Sequence, residues 1–229
     1  MTTLHYIYDP LCGWCYGAAP LVKAAREVLD VRPHGGGMMT GAHRQAVTPK
    51  LRAYVKQHDE RIAQLSGQHF GRGYVDGLLN QTGVVLDSEP PTAAMLAAET
   101  IAGRGVDMLA QLQIAHYVEG RPVADRTTLI EVATALGLDS AAFAEALDRL
   151  SGETVQAHIK ETRKLMAKVG AQGFPSFVLE TEGVLQIIDI AGYLGHPQAF
   201  QDWLRRQSKP APTSTDAGAL ACDINGCAI

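Results

Sequence analysis

Apolar residues along this chain follow two spacings, and the change from one to the other divides it. Leu4-His5-Tyr6-Ile7-Tyr8 is a short aromatic and β-branched run that reads as a buried strand, closed by the turn signal Asp9-Pro10. Leu21, Val22, Ala24, Ala25, Val28 and Leu29 then recur at helical spacing, and a second strand is expected over 31–34, running into Gly35-Gly36-Gly37. From about 48 to 150 the periodicity is helical. Thr48-Pro49, Glu89-Pro90-Pro91 and Asp125 or Thr127 open helices there, with stripes such as Leu109, Leu112, Ala115 and Leu129, Val132, Leu136, and no strand pattern interrupts them. Strand and helix alternate again afterwards: a helix over 154–169, strands over 176–180 and 184–188 joined by Thr181-Glu182-Gly183, and a closing helix over 197–207. This pattern predicts an α/β fold in which 1–45 and 151–207 are two parts of one domain, 46–150 is a helical subdomain inserted in a crossover, and 208–229 is a flexible tail.

Cys12-Gly13-Trp14-Cys15 falls where the first strand gives way to the first helix. Two thiols at this spacing can form, break and pass on a disulfide. At a helix N-terminus the dipole and the free backbone N–H groups stabilise a thiolate. A structural zinc site would need a second close pair of ligands, whereas the eight histidines stand singly at 5, 34, 43, 58, 69, 116, 158 and 196, so no metal is expected. Two inert core cysteines would not explain the strand, turn and helix around them. The spacing therefore predicts redox chemistry.

Far downstream, Gly173-Phe174-Pro175-Ser176-Phe177-Val178-Leu179 sets a proline at the start of an apolar strand, a position that tolerates proline and where a cis X-Pro bond is accessible. With this stretch the chain resembles the DsbA-like branch of the thioredoxin superfamily. The carriers are Asp9-Pro10-Leu11-Cys12-Gly13-Trp14-Cys15-Tyr16-Gly17, Gly36-Gly37-Met38-Met39-Thr40-Gly41 and Gly173-Phe174-Pro175-Ser176-Phe177. The resemblance implies a thioredoxin-like fold with a large inserted helical subdomain. It also implies that Cys12 is an exposed attacking thiolate, Cys15 a partly buried resolving thiol and Pro175 a cis-proline opposite them, with Phe174 offering its backbone to an extended peptide. Strongly oxidising members carry His where this chain has Trp14. Gly13-Trp14 supplies no cation, so the expected potential lies in the range of about −270 to −180 mV spanned by thioredoxin-like reductases and disulfide isomerases. Trp14 is read either as a contact for substrate or as packing over the helix start.

Composition narrows the class further. The 229 residues are 46% hydrophobic, enough for one large core. A net charge of -4 offers no basic footprint, so neither nucleic acid nor a membrane is an expected partner. No apolar run approaches a membrane span and Met1-Thr2-Thr3-Leu4-His5 has no basic start, which leads to a cytoplasmic expectation; in that reducing compartment a cysteine pair is catalytic or sensing rather than structural. Gly35-Gly36-Gly37 lacks the spacing of a nucleotide loop, and no cofactor is expected. The glycines permit close approach, and Met38 and Met39 beside them either line a groove or fill core gaps. Asp9 is assigned to its turn rather than to chemistry. Glu27 and Lys23 are candidates to move protons for Cys15.

The end of the chain changes character. Ser208-Lys209-Pro210-Ala211-Pro212-Thr213-Ser214 reads as a linker, yet Cys222-Asp223-Ile224-Asn225-Gly226-Cys227 follows, with Asn225-Gly226 favouring a turn between the two thiols. A terminal Cys-x4-Cys also occurs in FrnE-like members of the same family. Three readings stay open for Cys222 and Cys227: a second redox pair exchanging electrons with Cys12 and Cys15, a weak metal site, and a silent end. The whole points to a thiol–disulfide oxidoreductase acting on disulfide-bonded proteins as reductase or isomerase, supplied by a thiol donor such as thioredoxin or glutathione. Two alternatives remain. One is a glutathione-dependent isomerase or kappa-class-like transferase, which would carry Ser in place of Cys12; the other is a non-catalytic holdase or metal sensor.

Overall fold

A computed structural model describes residues 2–208. Its main sheet has four strands in the order β2-β1-β5-β6, formed by β1 (Thr2–Tyr8), β2 (Asp30–Gly35), β5 (Ser176–Thr181) and β6 (Val184–Ile188). β1 runs parallel to β2 through the crossover α1 (Gly13–Gly17) and α2 (Ala19–Arg26), and antiparallel to β5. Leu4 and Tyr6 of β1 stand opposite Leu179 and Phe177 of β5, and all four enter one core together with Tyr8, Leu21, Val22, Phe200 and Leu204. That register sets the end of β1 beside the start of β5, with Ile7 opposite Ser176. The closing helix α9 (Pro197–Ser208) covers α2 and supplies Phe200 and Leu204.

Helices fill most of the connection between β2 and β5: α3 (Pro49–Ser66), α4 (Glu89–Ala102), α5 (Gly105–Tyr117), α6 (Arg126–Ala135), α7 (Ser140–Leu150) and α8 (Glu153–Val169). Thr48 caps α3 by accepting the Leu51 N–H at 3.1 Å, and Pro49 takes the first turn, where its missing N–H costs nothing. The expected uninterrupted helical stretch needs correction at two points. Gln45–Ala46 (β3) pairs with Val85–Leu86 (β4) in a two-stranded ribbon, too short for any alternation to show in sequence. Between α3 and β4 the chain makes a π-helical turn at Gly73–Gly77 and a 3-10 turn at Leu78–Asn80 rather than an α-helix. Elsewhere the long periodic runs break into separate helices at Gly103 and Gly137, both at positive φ.

The insertion has its own core, with Ala93, Ala97, Met108, Leu112, Leu129, Val132, Phe143 and Leu147 among its members. It is not a detached body. Met95 and Leu109 of α4 and α5 cross into the core of the sheet, while Leu11, just before Cys12, packs into the helical core. A third cluster joins Tyr16 of α1 to Tyr74, Leu78, Leu79 and Tyr117.

Buried histidines make stability depend on pH. His116 is 2% exposed, lies against the rings of Tyr74 and Tyr117, and its Nδ1 has no hydrogen-bond partner among the described residues. Burial depresses its pKa to about 4. The unfolded chain therefore binds the proton that the folded chain refuses, and this contribution, complete above the usual 6.5, is lost as pH falls towards 4. Asp59 works in the opposite direction, since burial raises its carboxyl to about 6, so the bulk curve mixes signs. The unfolding free energy of wild type minus that of His116→Gln should widen as pH rises from 4 to 6.5, by at most about 1.4 kcal/mol per pH unit. Denaturant titrations at half-unit pH steps measure it, and a flat difference would refute a neutral buried imidazole.

Candidate functional site

β1 stops at Tyr8, and the Asp9-Pro10-Leu11 turn delivers Cys12 to the head of α1. Cys12 is the N-cap, in extended conformation at φ -91 and ψ 114, and its Sγ accepts the Cys15 N–H at 3.4 Å. The carbonyl of Cys12 begins the helical ladder, accepting from Cys15 N and Tyr16 N. α1 spans only five residues before Ala18 and Pro20 restart the helix as α2. Thus the attraction that Cys12 feels comes chiefly from a directed N–H and much less from a long dipole.

Both cysteines are free thiols and both are buried. Cys15 is fully covered, and Cys12 is 5% exposed, against the open position that the resemblance implied. The cover comes from far along the chain. Phe174 brings its carbonyl to 3.5 Å from Cys12 Sγ, so the protonated thiol can donate to it. The Phe174–Pro175 peptide bond is cis, and Ser176 Oγ donates to the Gly173 carbonyl at 2.7 Å, closing the loop ahead of β5. Trp14 and Phe174 are half-buried, and both pack against the core that contains the two cysteines.

The loop after β2 completes the wall. Gly36 N–H donates to the Tyr8 carbonyl at 2.8 Å, prolonging the parallel ladder, and a Cβ on Gly36 would lie 2.2 Å from the Phe174 ring. Arg163 of α8 ties this loop down, with Nε on the Gly36 carbonyl at 3.0 Å and Nη2 on that of Gly37 at 2.6 Å. Met38 packs on the core of the sheet and Met39 on that of the insertion, so both fill space there.

Electrostatically Cys15 is set against charge. Burial pushes the Cys15 thiol well above its ordinary range, and the neighbouring Cys12 adds to this. Cys15 has the Asp9 N–H at 3.5 Å from its sulphur and the Tyr6 hydroxyl donating to its carbonyl at 3.3 Å. Glu27 and Lys23 are not among the groups bonded to it: Glu27 accepts from Gln201 of α9, and Lys23 stands at a small cavity between α2 and α5. Two carboxylates matter more than the sequence shows. Asp9 is wholly buried and accepts from Leu11, Ser88 and Met38. Asp59 of α3 is 7% exposed, accepts the Tyr74 hydroxyl at 3.0 Å and approaches so closely that a Cβ on Gly13 would lie 3.0 Å from its Oδ1. On its outer side Asp59 lines a cavity of about 630 Å³ with Arg52, Lys56, Phe70 and Leu79. The one sequence signal for Asp59 was its place in the stripe Asp59, Ile62, Ser66, the buried residues of an otherwise polar helix.

Among the described residues, no group of three or more His, Cys, Asp or Glu side chains is placed to hold a metal ion, and no helix is long and apolar enough to cross a membrane. Cys222 and Cys227 lie outside the described residues.

The model of the DsbA-like thioredoxin domain matches residues 3–192. No curated protein matches the chain significantly. Among solved structures, the cytosolic disulfide reductase DsbM from Pseudomonas aeruginosa is 57% identical, with a TM-score of 0.85 over 90% of this chain and 98% of that one. The same reductase with GSH gives 55% identity and a TM-score of 0.84 over 90% and 98%. A DsbA variant from Pseudomonas aeruginosa, 12% identical with a TM-score of 0.51 over 90% of this chain and 86% of that one, shares the fold alone. Since the family match begins in β1, takes in the whole helical insertion and continues beyond β6, the chain belongs to the DsbA-like thioredoxin-domain family and is a thiol–disulfide oxidoreductase.

Proposed function

We propose that the enzyme reduces or rearranges protein disulfides, with Cys12 as the attacking thiol, Cys15 as the resolving thiol and the Phe174–Pro175 loop as the platform for substrate. The observation that carries this reading is the placement of Cys12 Sγ between two backbone groups, the Cys15 N–H that stabilises a thiolate and the Phe174 carbonyl that holds the thiol. Loss of the proton from Cys12 releases the Phe174 carbonyl. The thiolate then attacks one sulphur of a substrate disulfide; that S–S bond breaks, and the second substrate sulphur leaves as a thiolate. Cys15, three residues on in the first turn of α1, attacks Cys12 Sγ, frees the substrate as a dithiol and leaves the enzyme as the Cys12–Cys15 disulfide. Two electrons have passed to substrate, and two external thiols must return them.

Glutathione is the donor we favour, because the similar reductase from Pseudomonas aeruginosa has been solved with GSH. The cytosol is the compartment we favour, on the same relative. The reducing direction draws support from the surroundings of the pair: Gly13-Trp14 contributes no cation, and the hydrogen-bond donor to Cys12 Sγ is a neutral backbone amide.

With a disulfide-bonded model protein as substrate and dithiothreitol as donor, Cys12→Ser should lose about a hundredfold or more in rate, the scale expected when a covalent step is removed. Cys15→Ser should instead accumulate a mixed disulfide, visible as a heavier band on a non-reducing gel. Activity retained by Cys12→Ser would reject the assignment, and inactivity of wild type would turn attention to glutathione-dependent small-molecule chemistry. Equilibration with glutathione buffers should return a potential between about −270 and −180 mV, and a value near −120 mV would show an oxidant instead. Gly36→Ala should drive the new methyl group into the Phe174 ring and lower kcat/KM by about tenfold or more, with the far-ultraviolet circular dichroism unchanged. An unaffected rate would show that the loop tolerates displacement.

A further inference from the structure

Gly35-Gly36-Gly37 walls the site with three residues that have no side chains to pack and more backbone freedom than any others would keep. All three are nevertheless buried, and much of what holds them comes from one helix. On α8, His158 Nε2 accepts the Gly35 N–H at 3.0 Å, while Arg163 donates from Nε to the Gly36 carbonyl at 3.0 Å and from Nη2 to the Gly37 carbonyl at 2.6 Å. Ile159 of the same helix leaves no room for a Cβ on Gly37, which would lie 2.9 Å from it.

Arg163 supplies two of these contacts at once. Its guanidinium is a planar fork that stays charged, so two of its N–H groups fix the orientation of two successive carbonyls relative to each other. A lysine ammonium could reach one carbonyl but would not set that angle. Arg163 is exposed overall, so water reaches the carbonyls once the fork is gone, and what changes is the place of the loop rather than the fold.

That place matters because of what Gly36 faces. A Cβ there would lie 2.2 Å from the Phe174 ring, so ring and glycine are in direct contact. The carbonyl of Phe174 stands 3.5 Å from Cys12 Sγ. Helix α8 therefore holds one side of the platform through Arg163 and leads, through residues 170–173, into Phe174 on the other. A loop that drifts from the ring frees the ring to move, and with it the backbone that an extended peptide would meet.

We propose that Arg163 is a positioning residue that determines specificity: by holding Gly36 and Gly37 against the Phe174 ring it keeps the Phe174–Pro175 platform in the shape a peptide chain can bind, and so favours disulfides carried by proteins over small ones. A small disulfide has no chain to lay on the platform and needs only the two thiols. This deepens the proposed function and rests on its assignment of the platform.

The test follows one turnover of the pre-reduced full chain. Cys12 and Cys15 give two electrons and two protons to a disulfide, their own S–S bond forms, and the oxidant leaves as two thiols. Alkylation and mass analysis of the peptide that carries both cysteines follow the reaction, with either a disulfide-bonded model protein or bis(2-hydroxyethyl) disulfide as oxidant. With the protein, Arg163→Gln should raise the concentration for half-maximal rate about tenfold and leave the limiting rate within about twofold of wild type. With the small disulfide its rate constant should stay within about twofold. Arg163→Lys, which keeps the charge and one donor atom, should fall between, and it decides the matter even if Arg163→Gln does not fold. In a Phe174→Ala background, where the ring is gone, Arg163→Gln should move half-saturation by less than about twofold, because residues that act through one another are not additive. Equal slowing with both oxidants, no change with the protein, or the full effect persisting without the ring would overturn the proposal. Amide exchange separates this role from the proposed function. The Gly36 N–H, bonded to the Tyr8 carbonyl at 2.8 Å, should exchange about tenfold faster in Arg163→Gln. An unchanged exchange rate would overturn the role of Arg163 whatever the substrate, whereas a Cys12→Ser enzyme that kept its reductase activity would refute the proposed function alone.

Discussion

The antiparallel pairing of β1 with β5 is the constraint on which the site depends. Cys12 and Phe174 are 162 positions apart in sequence and 3.5 Å apart in space, and the register that sets Ile7 opposite Ser176 brings them there. Side chains alternate across a sheet, so a slip of one residue would turn Leu4, Tyr6 and Tyr8 away from the core they share with Phe177 and Leu179. The large apolar residues that fill this core therefore also fix the distance between the sulphur and the cis-proline loop. Residues 9–175 lie between the two strands, and the pairing tolerates that long excursion because closure entropy grows only slowly with loop length.

That excursion is also what encloses the pair. Leu11 enters the core of the insertion, Met95 and Leu109 return from it into the core of the sheet, and Ser88 bonds the carboxylate that shapes the Cys12 turn. On the other side, Tyr16 stacks on Tyr117 at 4.9 Å and donates its hydroxyl to the His69 carbonyl at 2.8 Å, while Gln68 donates to the Tyr16 carbonyl. The redox helix α1 is thus held from both flanks. Such a helix is too short to be stable by propensity, so its geometry is a property of these contacts.

What could be read from the sequence follows from how local each determinant is. The strands 176–180 and 184–188 and the helix 154–169 were legible because their apolar spacing repeats over several residues, and the structure gives Ser176–Thr181, Val184–Ile188 and Glu153–Val169. The ribbon of Gln45–Ala46 with Val85–Leu86 carries two residues per strand, too few to repeat anything. The neighbouring thiols Cys12 and Cys15 were legible by spacing. Their burial was not, because the cover on Cys12 is the backbone of Phe174, and no periodicity reports where a distant carbonyl will lie. Asp9 read as a turn residue for the same reason: its bond to Leu11 is local, whereas Ser88 and Met38 arrive through the tertiary fold.

Burial bears on the charge state of the cysteine pair as well as on its position. In this site Cys15 is removed from solvent, and its sulphur meets the backbone N–H of Asp9 at 3.5 Å. Burial raises the energy of a thiolate on Cys15 and does not act on a disulfide, which carries no charge to desolvate. Two backbone donors oppose it, the Asp9 N–H on Cys15 Sγ and the Cys15 N–H on Cys12 Sγ. Replacing Gly13-Trp14 by another dipeptide would change the approach to Cys12 but would leave Cys15 buried, because that burial is a consequence of the packing that the β1–β5 pairing assembles.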